Sequence, residues 1–300
     1  MMPAFSKRLS RRRPDSISMN LLQPHELASL NRTAAEAAIR ERVRCAYLGD
    51  HLALTQILGR YKFFVDTRDI GFGAHVLLDG FWEIWLTLFC ARNIRNGMTA
   101  VDVGANCGYY SLMFAEFVGA DGHLLSIEPN PRSVELLRKS IDLNGFSDRV
   151  TIHENALGST DGQRLPFYIP RSEPKNALIV PRGQSHPQDG DLIEVDSYSL
   201  DRFCDGRDVN FIKIDAEGSE ELILDGMAAT ISRCRPMIVM EINVARYNDP
   251  ARFIDRLSAI YDGIYWIDFD SCVKSVTSRE LLTSKVGTDW LIVLSPHVPA

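Results

Sequence analysis

An α/β fold built on a mostly parallel sheet, with helices on both faces, is predicted by three features of this 300-residue chain. Short apolar runs alternate with helical patterns from residue 99 onward. The runs are apolar at nearly every position, not at every second one, and almost every run ends in a carboxylate or an amide. Strands that alternate with helices give parallel order. Continuous apolarity means both sheet faces are covered. Polar residues at the carboxyl ends lie where such a sheet binds ligands.

Taken in order, residues 1–23 are basic and serine-containing, with Arg11, Arg12 and Arg13 followed by no apolar run. They read as a disordered tail, not a secretory signal. Residues 24–60 read as mainly helix, from the three- and four-residue spacing of Ala35, Ile39, Val43, Ala46 and Tyr47. "YKFFVDTRD" (61–69) is a strand or an extended connector, and "GFWEIWLTLFCARNIR" is an apolar helix leading to a turn at 96–97. Residues 24–95 thus form an N-terminal helical extension, expected to cap the substrate side of a domain at 96–300.

Within that domain a strand at 99–103 precedes a helix at 108–119, and a strand at 123–128 ends in Glu128. The next helix has Asn130 as its cap, Pro131 in its first turn and Asn144-Gly145 as its stop. Strands at 150–155, 211–218 and 237–243 follow, the last two each leading into a helix, the second capped by Asp249. Strands at 264–270 and 289–296 close the chain with only a short, weakly helical segment between them, so one of the two is antiparallel. Residues 158–190 break the alternation. They are rich in Gly, Pro, Ser and Asn and read as an irregular loop insertion that borders the acceptor pocket, together with 24–60.

Composition is ordinary for a globular protein, at 45% hydrophobic and 24% charged. A net charge of −6 disfavours a broad nucleic-acid surface, and no nucleic-acid partner is expected. Cys45, Cys90, Cys107, Cys204, Cys234 and Cys272 are scattered without a C-x-x-C pair, the pattern of reduced thiols in a cytoplasmic protein. The most apolar window, 80–91, is too short to span a bilayer and contains Glu83. The seven histidines, His75, His123 and His153 among them, form no metal-ligand pattern, and no metal is expected. Trp82, Trp85, Trp266 and Trp290 read as core.

The stretch "VDVGANCGYYS" (101–111) is a strand, a glycine turn and a helix start. A dinucleotide fingerprint would need glycine at 104, 106 and 109, but Asn106 and Tyr109 fill two of those places. A phosphate-cradling loop would need Gly-Lys-Ser/Thr, which is missing. The other strand ends offer Glu128, Glu154-Asn155, Asp215 with Glu217, and Glu241 with Asn243. So many acids and amides suit ribose hydroxyls, an ammonium and a positive centre better than a pyrophosphate. S-adenosylmethionine has all of those groups. Glu128, twenty residues beyond Gly108, is placed to accept both ribose hydroxyls. Asn155 is placed beside the adenine, and Glu83 faces either the cofactor's ammonium or the surface.

"VDVGANCGYYS", "EPNP", "NALG" and "IKIDAEGSEELILDGM" together resemble the FkbM family of S-adenosylmethionine-dependent methyltransferases, over about 80–245. The resemblance implies a Rossmann-like seven-stranded methyltransferase sheet with one antiparallel strand near the C-terminus. It also implies methyl transfer to a hydroxyl, often on a sugar, a glycan or a natural product. The family's cofactor turn and acid fall on Asp102, Gly104, Asn106, Gly108, Glu128 and Asn130. Two other readings stay open: a non-catalytic or regulatory protein that keeps the pocket, and an NAD-dependent oxidoreductase, which the missing glycines oppose. For catalysis, an alcohol acceptor needs a base. With no histidine or lysine seen at a strand end, that base is a carboxylate, Asp215 first and Glu241 second.

Overall fold

The computed structural model describes residues 21–180, 189–261, 263–284 and 286–299. The basic tail over 1–20 and part of the expected loop, 181–188, lie outside the described residues. The chain opens with α1 (Pro24–Ser29) and α2 (Arg32–Arg40), the latter capped by Asn31, which accepts the Ala34 N–H at 2.9 Å. Helix ends there, and the expectation of helix through residue 60 fails. β1 (Cys45–Gly49), β2 (Leu52–Ile57) and β3 (Tyr61–Asp66) form a three-stranded antiparallel sheet. Asp50 and His51 both take left-handed φ, 48° and 61°, as a tight hairpin turn requires. β2 buries every second residue, a period-two pattern that only a strand can use.

Two helices lead to the main sheet: α3 (Phe72–Leu78) and α4 (Ile84–Asn93), the latter buried on nearly all sides. Then come β4 (Thr99–Val103), α5 (Tyr109–Val118), β5 (His123–Ile127), α6 (Pro131–Asn144) and β6 (Val150–His153). α6 also holds the outer edge of β3: the Phe64 N–H donates to Ser140 Oγ at 3.0 Å, and Asn144 bonds both the N–H and the carbonyl of Lys62. An edge strand closed by helix side chains leaves few backbone groups unpaired.

The stretch read as irregular holds real strands. β7 (Ala156–Leu157), β8 (Gln163–Pro170), β9 (Leu178–Ile179) and β10 (Gly190–Tyr198) make a second sheet of order β7-β10-β8-β9. β8 and β10 pair antiparallel from Gly190↔Pro170 to Ser197↔Gln163. Pro166 and Pro170 disguise β8, since proline usually marks a break. α7 (Leu200–Phe203) then leads to β11 (Phe211–Ile214), α8 (Glu220–Asp225), α9 (Ala228–Cys234) and β12 (Met237–Ile242). The chain closes with α10 (Pro250–Ile260), β13 (Ile264–Ile267), β14 (Val273–Val276), α11 (Ser278–Thr283) and β15 (Trp290–Leu294).

The main sheet has the order β14-β13-β15-β12-β11-β4-β5-β6. β6, β5, β4, β11 and β12 run parallel, β15 is antiparallel to β12, and β14 is antiparallel to β13. The sheet therefore has eight strands where seven were expected, and two of them run against the rest. The extra one, "VKSV" (273–276), is short and half-exposed, so it carries little apolar signal. Separate buried clusters cover the two faces, one including Leu88, Phe114 and Leu137, the other including Ile212, Met240 and Leu257. Strand order reverses between β4 and β11, which makes their carboxyl ends the switch point of the sheet.

Candidate active site

The turns after β4 and β11 touch. The N–H groups of Gly104 and Ala105 both bond the Ile127 carbonyl, at 3.0 and 3.1 Å, which curls the chain over the end of β5. Gly104 has φ of +73°, and a Cβ there would lie 1.9 Å from the Asp215 carbonyl oxygen. Glycine at 104 is therefore demanded by the backbone that follows β11, and it also lines the cavity beyond the turn. Gly108 starts α5 at φ +97°, where a Cβ would meet Leu137 of α6 at 2.4 Å. The left-handed backbone and the neighbouring Leu137 both favour glycine at this position.

Beyond this turn lies a cavity of about 610 Å³, within the roughly 300–1,000 Å³ of small-molecule sites. Gly104, Asn106, Glu128, Asn155, Asp215, Glu241 and Glu83, all singled out from the sequence, line it. Asp102, Gly108 and Asn130 do not. Asp102 points into the core, where its Oδ2 accepts Ser111 Oγ at 2.6 Å and Ser111 meets Ser126 at 3.0 Å. Asn130 caps α6 by accepting the Arg132 N–H at 3.1 Å. From the N-terminal region the wall takes Phe72, Trp82 and Glu83, but no residue of 24–60. Phe167 and residues 174–179 of the small sheet close another side. Trp82, expected in the core, lies on the wall with the Lys175 ammonium 5.6 Å from its ring centre.

Glu128 is the most precisely held of the acids. Its two oxygens each accept a backbone N–H at 2.8 Å, one from Asn106 and one from Asn130. Asn106 reaches that position in a left-handed conformation, φ 48°, with its side chain accepting Ser133 Oγ at 3.1 Å. The carboxylate is only 6% exposed. Burial pushes its pKa up to about 7, against the pull of the two N–H groups. Asn155 donates to the Ala156 carbonyl at 2.6 Å, which fixes its amide beside Leu157 on the same wall.

A second group of charges lines the far end. Glu83 sits at the start of α4 with φ of +38° and accepts the Tyr110 hydroxyl at 3.0 Å. Burial and then the nearby Asp215 push Glu83 up to about 7. Glu217 is raised to about 7 by the same two causes, and burial followed by Asp215 lifts Glu241 well above the carboxylate range. Arg246 lies 3.1 Å from Glu217, 3.6 Å from Glu241 and 3.1 Å from Asp289. Oxygens of Asp215, Glu217 and Glu241 fall within 4.8 Å of one another. Because Arg246 already balances two of these acids, they are not assigned as metal ligands.

Lys213 overturns the expectation that no lysine stands near a strand end. It lies in β11, two residues before Asp215, lines the cavity, and places its ammonium 3.1 Å from Asp215 Oδ2. The signal was present in "FIKIDAEG" (211–218), a cation inside an otherwise apolar run. Lys175 and Arg246 also line the cavity and were not singled out. The donor set suits a cationic nucleoside cofactor: a doubly held carboxylate near the first turn, more carboxylates beyond it, and an apolar wall of Ile127, Leu157 and Phe167 between.

An open α/β sheet with an acid-lined cavity at its switch point belongs to the broad class of Rossmann-like, nucleotide-cofactor folds. The sequence profile of the Methyltransferase FkbM domain matches residues 102–262, more than half of the chain, and the chain belongs to that family. Among curated proteins it is similar to the protein-L-isoaspartate O-methyltransferase of Methanothrix thermoacetophila, 31% identical over 113 residues, 36% of this chain and 52% of that protein. It is also similar to the tRNA wybutosine-synthesizing protein 2 homolog of Rattus norvegicus, 34% identical over 108 residues, 35% of this chain and 22% of that one. The chain thus spans about half the length, or less, of such relatives. Among solved structures it resembles the FkbM methyltransferase of Methylobacillus flagellatus, with a TM-score of 0.42 and 16% identity, over 87% of this chain and 58% of that one. All six cysteines are free, and no helix among the described residues is long and apolar enough to cross a membrane.

Proposed function

We propose that this protein transfers a methyl group from S-adenosylmethionine to a hydroxyl on a sugar, a glycan or a natural product. The observation that carries the reading is Glu128, whose two oxygens are each oriented by a backbone N–H and which lines the cavity beside the Gly104 turn. A carboxylate fixed in this way accepts paired hydroxyls with little loss of freedom. When bound, the cofactor supplies a methyl group made electrophilic by its sulfonium. Asn155, Leu157 and Ile127 would border the base, and Glu128 the ribose. Glu83 and Asp215 would face the positive end. A surplus of carboxylates and a net charge of −6 favour a small or neutral acceptor over nucleic acid.

Lys175 and Trp82, which also line the cavity, would border the acceptor, and the catalytic domain would run over 96–300 with the 158–190 region shaping specificity. Asp215 would take the acceptor's hydroxyl proton on its carboxylate, with Glu241 the second choice, while positioning supplies much of the rate. Asp215→Asn should keep the fold and lower kcat by about 100-fold, at the low end for acid–base catalysis. Labelled methyl groups from the cofactor, incubated with the protein and a cell extract, should appear in a hydroxyl-bearing product. Failure of calorimetry to detect cofactor binding would overturn the reading. Label found only on nitrogen or carbon would overturn the hydroxyl assignment.

A further inference from the structure

Lys213 is a charge set within the core. It is 3% exposed and lies in the middle strands of the sheet, directly across the ladder from Asp102 on one side and Val239 on the other. Parallel neighbours in register share a face, so Lys213 and Asp102 point the same way, under α4 and α5. Four elements present polar groups to the ammonium. β11 supplies Asp215 at 3.1 Å, and α5 supplies the Tyr110 ring, 4.8 Å away. β4 supplies Asp102, and the start of α4 supplies Glu83, which the Tyr110 hydroxyl holds at 3.0 Å. The thiol of Cys90 on α4 also lies within its field. Asp102 Oδ1 is buried with no hydrogen-bond partner, a cost that a nearby cation reduces.

We propose that Lys213 is a positioning residue whose buried ammonium, set between Asp102, Asp215 and the Glu83–Tyr110 pair, holds the cavity's carboxylates in place for the reaction. Holding Asp215 by Oδ2 fixes how that carboxylate meets the cavity it lines. Burial opposes the charge on Lys213, but Asp215, Asp102 and Glu83 outweigh it and hold its pKa above the ordinary value. Lys213 is therefore a permanent cation and not a proton acceptor. In return it draws down Asp102 and Glu83, both of which burial raises. One charge thus opposes the upward push of burial on acids across the switch point, linking the first-strand turn to the fourth-strand turn.

This inference rests on the proposed methyl transfer for its purpose but can be tested without the cofactor. Carbon-13 NMR of side-chain carboxyls, with the Glu83 signal assigned through Glu83→Gln, follows the titration of that acid directly. In Lys213→Met the Glu83 midpoint should move up by about one pH unit or more, the sign expected on removing a nearby cation. Lys213→Arg, which keeps the charge, should restore the wild-type midpoint. Cofactor affinity at neutral pH should fall about tenfold in Lys213→Met and recover at higher pH. If Lys213→Met does not fold, the same titration in Lys213→Met/Asp102→Asn, which removes the stranded charge along with the cation, replaces it. A Glu83 midpoint that stays at its wild-type position in the folded variant overturns the positioning role. A wild-type protein that titrates as expected yet binds no cofactor would instead overturn the methyltransferase reading and leave the role of Lys213 standing.

Discussion

Glu128 keeps its orientation because the backbone N–H groups of Asn106 and Asn130 each donate to one of its oxygens. Replacing it with Gln keeps the shape but turns an amide N–H toward one of those donors. The loss of charge-assisted bonds to a ligand costs about 1.5–3 kcal/mol, so Glu128→Gln should weaken cofactor affinity roughly tenfold or more. Calorimetry that finds the dissociation constant unchanged would reduce Glu128 to a structural acid. Residues of this kind were legible in the sequence because they follow apolar strands directly. Lys213 was not, since it stands inside its strand and parallel strands give no alternation to expose an odd member. Asp102 was harder to place for a related reason: an acid near a strand end can turn inward, and here Asp102 accepts the Ser111 hydroxyl, which in turn meets Ser126.

At the scale of elements, the site exists because two strand ends are pressed together. The Asp215 carbonyl would be 1.9 Å from a Cβ on residue 104, and φ there is +73°. Gly104→Ala must therefore push β11 away from the first turn or adopt a strained conformation. Clashes and strain of this sort cost about 1–3 kcal/mol each. We expect a clearly lowered melting temperature as well as lost cofactor affinity, with the first measured in the absence of ligand. A variant with unchanged melting would show that the turn has more room than its backbone contacts imply. The βα alternation from 99 to 144 was legible through Pro131, Asn144-Gly145 and the apolar runs. β1 and β2 were not, because helical spacing at Ala35 and Ile39 continues by chance through Val43 and Tyr47, whereas β3 falls in the stretch 61–69 read as a strand or an extended connector. The better signal was the Gly49-Asp50 turn followed by alternation in "LALTQI" (52–57). β8 was hidden by its two prolines, one of which still serves the sheet by accepting the Val180 N–H at 2.9 Å.

At the scale of the whole molecule, the sheet gathers acids that oppose the stability of the fold that holds them. Glu83, Glu128 and Glu217 come from separate elements and meet at one end of the sheet, where burial lifts each to about 7 from an ordinary 4.5. Between those two values the folded protein binds more protons than the unfolded chain, so its stability falls as pH rises through that window. Below the ordinary value both states are protonated and the cost disappears; above about 7 it is present in full. A cationic ligand acts in the opposite direction. It binds the ionised acids, so protons leave on binding and affinity climbs with pH, up to about tenfold per unit for each proton released. Two trends of opposite sign are therefore expected over one range. From about pH 5.5 to about pH 8 the melting temperature of the ligand-free protein should fall while affinity for S-adenosylmethionine rises. Glu128→Gln should flatten both slopes, because it removes a shared titrating group. S-adenosylhomocysteine, which lacks the sulfonium charge, should show the shallower rise. Scanning calorimetry and titration calorimetry across this range decide the matter: melting and affinity that both stay flat would mean that these acids do not change charge there.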